Sequence, residues 1–122
     1  MSLIARYLES NGLPTVVMGC ARDIVESCGV ARFLFSDFPL GNSCGKPFDK
    51  DSQRDTLARA LALFDDAEAP RTTAVSPQRW AEDDAWKRDF MSIEGMDAGQ
   101  LERRRSAFDA QKAVANEIKR PA

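Results

Sequence analysis

The chain of 122 residues contains no histidine. That absence excludes Ser-His-Asp and Cys-His nucleophile pairs within the chain, imidazole metal ligands, and the usual general base near pH 7. Chemistry must then come from thiols, carboxylates, amines or a partner's groups. No apolar run approaches the about 20 residues of a membrane-spanning helix, and the first nine residues, with Arg6 and Glu9, read as an amphipathic helix rather than a signal peptide. An excess of one charge is also lacking. Lys and Arg number 17 against 19 Asp and Glu, a formal net charge of −2, and no long basic stretch offers a nucleic-acid footprint. The run Arg103-Arg104-Arg105 reads as a solvated helix face, offset by Glu102 and Asp109. The three cysteines, Cys20, Cys28 and Cys44, form no C-x-x-C pair, so no metal site is expected. An odd count without a secretion signal points to free thiols in a reducing, cytoplasmic setting.

What is present suits one small soluble chain: 43% of residues are apolar and 30% charged. Leu3, Ile4, Tyr7 and Leu8 recur at helical spacing, and Asn11-Gly12 with Pro14 beyond ends that helix. Thr15-Val16-Val17-Met18 is a short β-branched run, expected as a strand covered on both faces. It leads through Gly19-Cys20 into about two helical turns over 21–27, with Ile24, Val25 and Cys28 inward and Gly29 as the stop. A second strand follows over 30–35 (VARFLF). Strand, short crossover and strand make a parallel β-α-β unit.

The loop FPLGNSCGKP, residues 38–47, follows. Asp51 or Ser52 can then cap a helix whose Leu57, Leu61 and Phe64 form a stripe to cover the sheet. Residues 65–75 read as a linker. Ser76-Pro77 opens a helix to about Ser92 with Trp80, Trp86, Phe90 and Ile93, and Gly95 breaks it. Asp97 caps a last helix to Lys119, in which Leu101, Phe108 and Ala115 repeat every seven residues.

The expected class is α/β, a small parallel Rossmann-like sheet with flanking helices and a helical C-terminal extension. Residues 1–68 form the α/β domain and 69–122 the extension, read as oligomer-forming. Two strands do not make an independently stable sheet, so a shared interface is expected, with a second copy or a larger subunit. Two tryptophans and seven phenylalanines fit such an interface, or a helical core within the monomer.

Ligands of parallel sheets sit beyond the carboxyl ends of the strands, and two thiols fall there. Cys20 follows the first strand at a helix start beside Arg22, a setting that lowers a thiol pKa. Cys44 lies in the loop Gly41-Asn42-Ser43-Cys44-Gly45-Lys46, whose main-chain N–H groups can cradle a carboxylate or phosphate with Lys46 as the cation. Each of these two thiols can equally be a small apolar filler, and Cys28 reads as one. The loop is no Walker motif, so nucleotide binding is not expected. Asp23 and Asp37 are carboxylates near the same edge, for proton transfer or for capping.

Three segments carry a resemblance: Leu8-Glu9-Ser10-Asn11-Gly12-Leu13-Pro14, then Gly29 to Arg32 in the pattern G-x-x-R, then Pro39-Leu40-Gly41-Asn42. They resemble, over about half the chain from Leu3 to Phe64, the carboxyl-terminal part of the selenocysteine-containing B-type subunits of the glycine, sarcosine, betaine and D-proline reductases. The resemblance implies an α/β fold and thiol or selenol chemistry that reductively displaces an amine from a small carboxylate substrate. This chain has no selenocysteine and no paired-cysteine motif. What carries over is the loop Pro39 to Asn42; Cys44 gains its role from position alone.

The resulting expectation is a reductase-like or lyase-like subunit acting on a small anionic, amine-bearing substrate. Cys44 is its nucleophile or redox thiol and Cys20 a second thiol. Gly41, Asn42, Ser43, Gly45 and Lys46 hold the substrate, with no cofactor named. The rivals are a non-catalytic assembly subunit of a larger complex and a small-anion binding protein without turnover.

Overall fold

The structure, a computed structural model, describes residues 1–89 and 95–119. The chain divides into two units, Met1–Glu82 and Asp83–Ala122. In the first unit the elements are α1 (Ser2–Ser10), β1 (Val17–Gly19), α2 (Arg22–Cys28), β2 (Arg32–Phe35), α3 (Lys50–Asp66) and β3 (Thr72–Val75). The three strands form a parallel sheet in the order β1-β2-β3, with Val17 beside Phe33 and Phe33 beside Thr73. The class is therefore mixed α/β with a small parallel sheet.

The third strand overturns the expected linker over 65–75 and moves the boundary from residue 68 to Glu82. Thr72, Thr73 and Val75 are β-branched, and pairing with β2 rewards that propensity where no apolar periodicity announces it.

Successive β2 residues point to opposite faces, and each face has its own core. Phe33 packs with Ala5, Val25 and Val30, flanked by Val17 and Phe35. Leu34 packs with Ala60 and Leu63, flanked by Val16, Met18 and Ala74. Thus α1 and α2 cover one face and α3 the other. Because both crossovers step the same way across the sheet but on opposite faces, they have opposite hands. One of them is left-handed, against the right-handed geometry of roughly 98% of such connections. A doubly wound sheet instead reaches both faces by reversing its strand order.

Several helix faces differ from expectation. α2 buries Val25 but leaves Ile24 exposed, and Cys28 is half-buried. α3 is capped by Asp49, which accepts from the Ser52 N–H at 2.9 Å, rather than by Asp51 or Ser52. The face of α3 against the sheet is Ser52, Thr56, Ala60 and Leu63, while Leu57, Leu61 and Phe64 stay exposed. Small residues let the helix approach the sheet closely, and the side with Ser52, Thr56 and Ala60 is the one buried rather than the side with Leu57, Leu61 and Phe64.

The second unit contains α4 (Trp86–Asp89) and α5 (Ala98–Lys119). The helix expected from Ser76-Pro77 is absent over 77–80; the part of it with Phe90, Ser92 and Ile93 lies outside the described residues. Asp97 caps α5 as expected: its carboxylate accepts from the Gln100 N–H at 2.7 Å. Residues 98–118 of α5, including Arg103 to Arg105, are all exposed. No helix among the described residues is long and apolar enough to cross a membrane.

Candidate functional site

All three strands end on the same edge, where Cys20, the loop 36–49 and the segment 76–80 gather. The loop is anchored there by main-chain hydrogen bonds. The Ser36 N–H donates to Gly19 O at 3.0 Å and the Ser76 N–H to Phe35 O at 2.8 Å.

Cys20 is half-buried, and its thiol lies 3.9 Å from the Ser43 hydroxyl. Burial pushes the thiol pKa up; the Ser43 hydroxyl and the main-chain N–H groups of Phe38 and Asn42 pull against it, and Asp37 adds to the rise. The expected lowering by a helix start and Arg22 is therefore overturned. α2 has only seven residues, and Arg22 is engaged elsewhere, with Glu26 at 3.0 Å and over the Phe35 ring. Desolvation of a half-buried thiol outweighs a weak, short helix dipole. Cys44 is exposed on the same loop, next to Ser43.

The loop residues divide by role. Asn42 turns its side-chain N–H onto Pro39 O at 3.0 Å, so its amide closes the turn. Gly41 adopts φ +97° with open space around it, whereas Gly45, at φ +107°, is pressed against the start of α3. A Cβ at Gly45 would lie 2.8 Å from the main chain of Gln53. The Lys46 N–H donates to Ser52 Oγ, and Lys46 O accepts from the Gln53 amide. Phe48 is also left-handed, at φ +59°, and fully exposed.

The Lys46 side chain opens onto a cleft of about 420 Å³, shared with Asp49, Asp51, Ser52, Asp55, Gln78 and Arg79. Gln78 ties the strand-β3 exit to α3: its amide donates to Asp55 and Thr56, and its Oε1 accepts from Ser52. Arg59 holds the Asp55 carboxyl below the usual carboxylate range, with Gln78 contributing. Neither Lys46 nor Arg79 is in an ion pair among the described residues. Beside the cleft, Phe38 and Trp80 rings pack 5.5 Å apart.

Gln78, Arg79 and Trp80 are missed by sequence reasoning, which assigns them to a helix. The signal available was the β-branched Thr72-Thr73 pair, since a third strand would carry residues 76–80 to this edge. Ser36 is missed too. Its hydroxyl is buried, with 1% of the residue exposed, and has no hydrogen-bond partner among the described residues. Asp23, on α2, and Asp37, in the loop, are both exposed. No group of three or more candidate metal ligands occurs among the described residues.

Glu9 and Arg32, from two of the segments that carry the resemblance, meet at the opposite end of the sheet. Arg32 donates to Glu9 at 2.6 Å, and Glu9 also accepts from the Thr15 N–H at 2.7 Å. The pair fastens α1 to the strands and faces away from the carboxyl edge. Comparison with protein-family models, with curated proteins and with solved structures finds no match to this chain.

Proposed function

We propose that the chain is a subunit of a reductase-like or lyase-like enzyme that uses thiol chemistry on a small anionic, amine-bearing substrate. One observation carries the reading: the Cys20 thiol lies among a hydroxyl and two main-chain N–H groups of a glycine-rich loop at the carboxyl edge of a parallel sheet. Beyond the carboxyl ends of the strands is where open parallel sheets hold their ligands. Cys44, exposed on the loop, is the thiol a substrate meets first; Cys20 is the second, kept protonated by burial. The neighbouring cleft supports the substrate class. Lys46 and Arg79 suit a carboxylate, and Asp49 and Asp51 a protonated amine. Electrons for a reduction come from a partner such as a larger reductase-like subunit, in a reducing, cytoplasmic setting where thiols stay free.

The test is protection of thiols by small zwitterions. Iodoacetamide labelling with site mapping is run with and without glycine, sarcosine, betaine and D-proline. The expected result is slower labelling of Cys44 in the presence of one probe, and loss of that protection in Lys46→Ala. No protection by any probe would overturn the reading.

A second reading, a non-catalytic assembly subunit, is favoured by the apolar residues left uncovered on α1 (Leu3, Ile4, Tyr7), by the α3 stripe and by the exposed Phe48. It predicts no protection of any thiol and stable binding to a different subunit.

A further inference from the structure

The cleft that holds Lys46 and Arg79 does not end at these two cations. A second cleft, of about 570 Å³, shares both of them and is completed by Trp80, Ala81 and Glu82. Trp80 is half-buried, and its ring lies 5.5 Å from that of Phe38 at a tilt of 59°. Phe38 is itself only 3% exposed, so the indole is backed by a ring fixed in the fold. The two clefts differ in lining: Asp49, Asp51 and Asp55 belong to the first, the indole to the second, and the cations to both.

We propose that the joined clefts take an α-amino acid with an uncharged aromatic side chain. Its carboxylate binds Lys46 and Arg79, its amine turns to Asp49 and Asp51, and its ring packs on Trp80. The inference rests on the substrate class proposed above and adds the side chain, which the thiol reading leaves open. An α-amino acid carries an anion, a cation and a side chain on one carbon, and here a basic, an acidic and an aromatic surface adjoin. Asp55 already accepts from Arg59 and Gln78, which leaves the amine to Asp49 and Asp51. The second cleft holds two cations against the single carboxylate of Glu82, so a cationic side chain is repelled there. An uncharged ring escapes that repulsion and gains an offset or edge-to-face contact with the indole. Each cleft is within the size range of small-molecule sites.

The test is calorimetric titration of the full chain with glycine, L- and D-phenylalanine and arginine, paired with iodoacetamide labelling in the same solutions. The better-bound phenylalanine enantiomer is expected to bind about tenfold more tightly than glycine and more tightly than arginine. Trp80→Leu is expected to remove the advantage over glycine. If that variant fails to fold, the ligand series on the wild type decides. Phenylalanine that binds no more tightly than glycine or arginine, or an advantage that survives Trp80→Leu, overturns the inference. Phenylalanine that binds as expected yet leaves Cys44 labelling unchanged supports the cleft assignment and overturns the thiol reading instead.

Discussion

The two ends of the small sheet treat their polar groups in opposite ways. At the amino end, Glu9 accepts from Thr15 and Arg32, and the Arg32 guanidinium also lies over the Phe64 ring at 5.5 Å. At the carboxyl end the frame is built mostly from neutral groups, Ser52, Thr56, Gln78 and the main chain around Gly45, with the carboxylates of Asp49 and Asp55 accepting from the Ser52 N–H and the Gln78 amide. There the cations Lys46 and Arg79 remain out of ion pairs among the described residues. The difference teaches where a ligand can act: charges matched within the fold have little left to offer, while a frame that engages its carboxylates but not Lys46 and Arg79 leaves these two cations to the cleft.

The largest blow to the carboxyl end is Gly45→Ala. The substitution combines a left-handed backbone with a Cβ driven into the α3 main chain, and a loss of about 3 kcal/mol is expected in urea unfolding. Gln78→Ala comes next, at about 2 kcal/mol, because the Ser52 and Thr56 hydroxyls are buried and lose a partner. An unchanged urea midpoint for either variant would show that the loop is not welded to α3 as described.

At the amino end, Glu9→Gln should cost about 1–2 kcal/mol at neutral pH. The Thr15 main-chain N–H, with further help from the Thr15 hydroxyl and Arg32, holds the Glu9 carboxyl below its ordinary value of 4.5. That stabilisation is complete above the unfolded value and is lost as pH falls through the lower folded value. The wild type should therefore lose its advantage over Glu9→Gln on acidification; a constant gap down to pH 2 would contradict the pairing. The smallest effect separates the thiols without touching stability. Cys44 should alkylate faster than Cys20 at neutral pH, and the reactivity of Cys20 should rise only above the ordinary thiol value of 9.0. A Cys20 that reacts first would mean that its three donors outweigh its burial.

Much of this was legible one residue at a time. Gly29 ends α2 in a left-handed turn at φ +69°, Asp97 caps α5, and the two apolar strands pair in parallel. Errors arose where two signals competed. The Leu57-Leu61-Phe64 stripe outscores Thr56 and Ala60 in hydrophobicity, yet the sheet took the smaller face. Ser76-Pro77 has the look of a helix start, but it follows directly on β3 at the carboxyl edge and no helix forms over 77–80. For the site, the loop and its thiols were visible as a cluster of Gly, Asn and Cys, whereas Gln78, Arg79 and Trp80 were not, because they lie some thirty residues further on in the sequence.

By itself, then, the sequence determined the local events: the helices α1, α2, α3 and α5, where glycine permits a left-handed turn, and that no imidazole takes part. These depend on backbone sterics and on neighbours within about one helical turn. Tertiary structure alone decided which face of α3 is buried, that a third strand completes the sheet, and that burial pushes the pKa of Cys20 up rather than down. Each of these turns on desolvation and packing between segments distant in sequence, and a local pattern of residue types carries no record of what will lie against it.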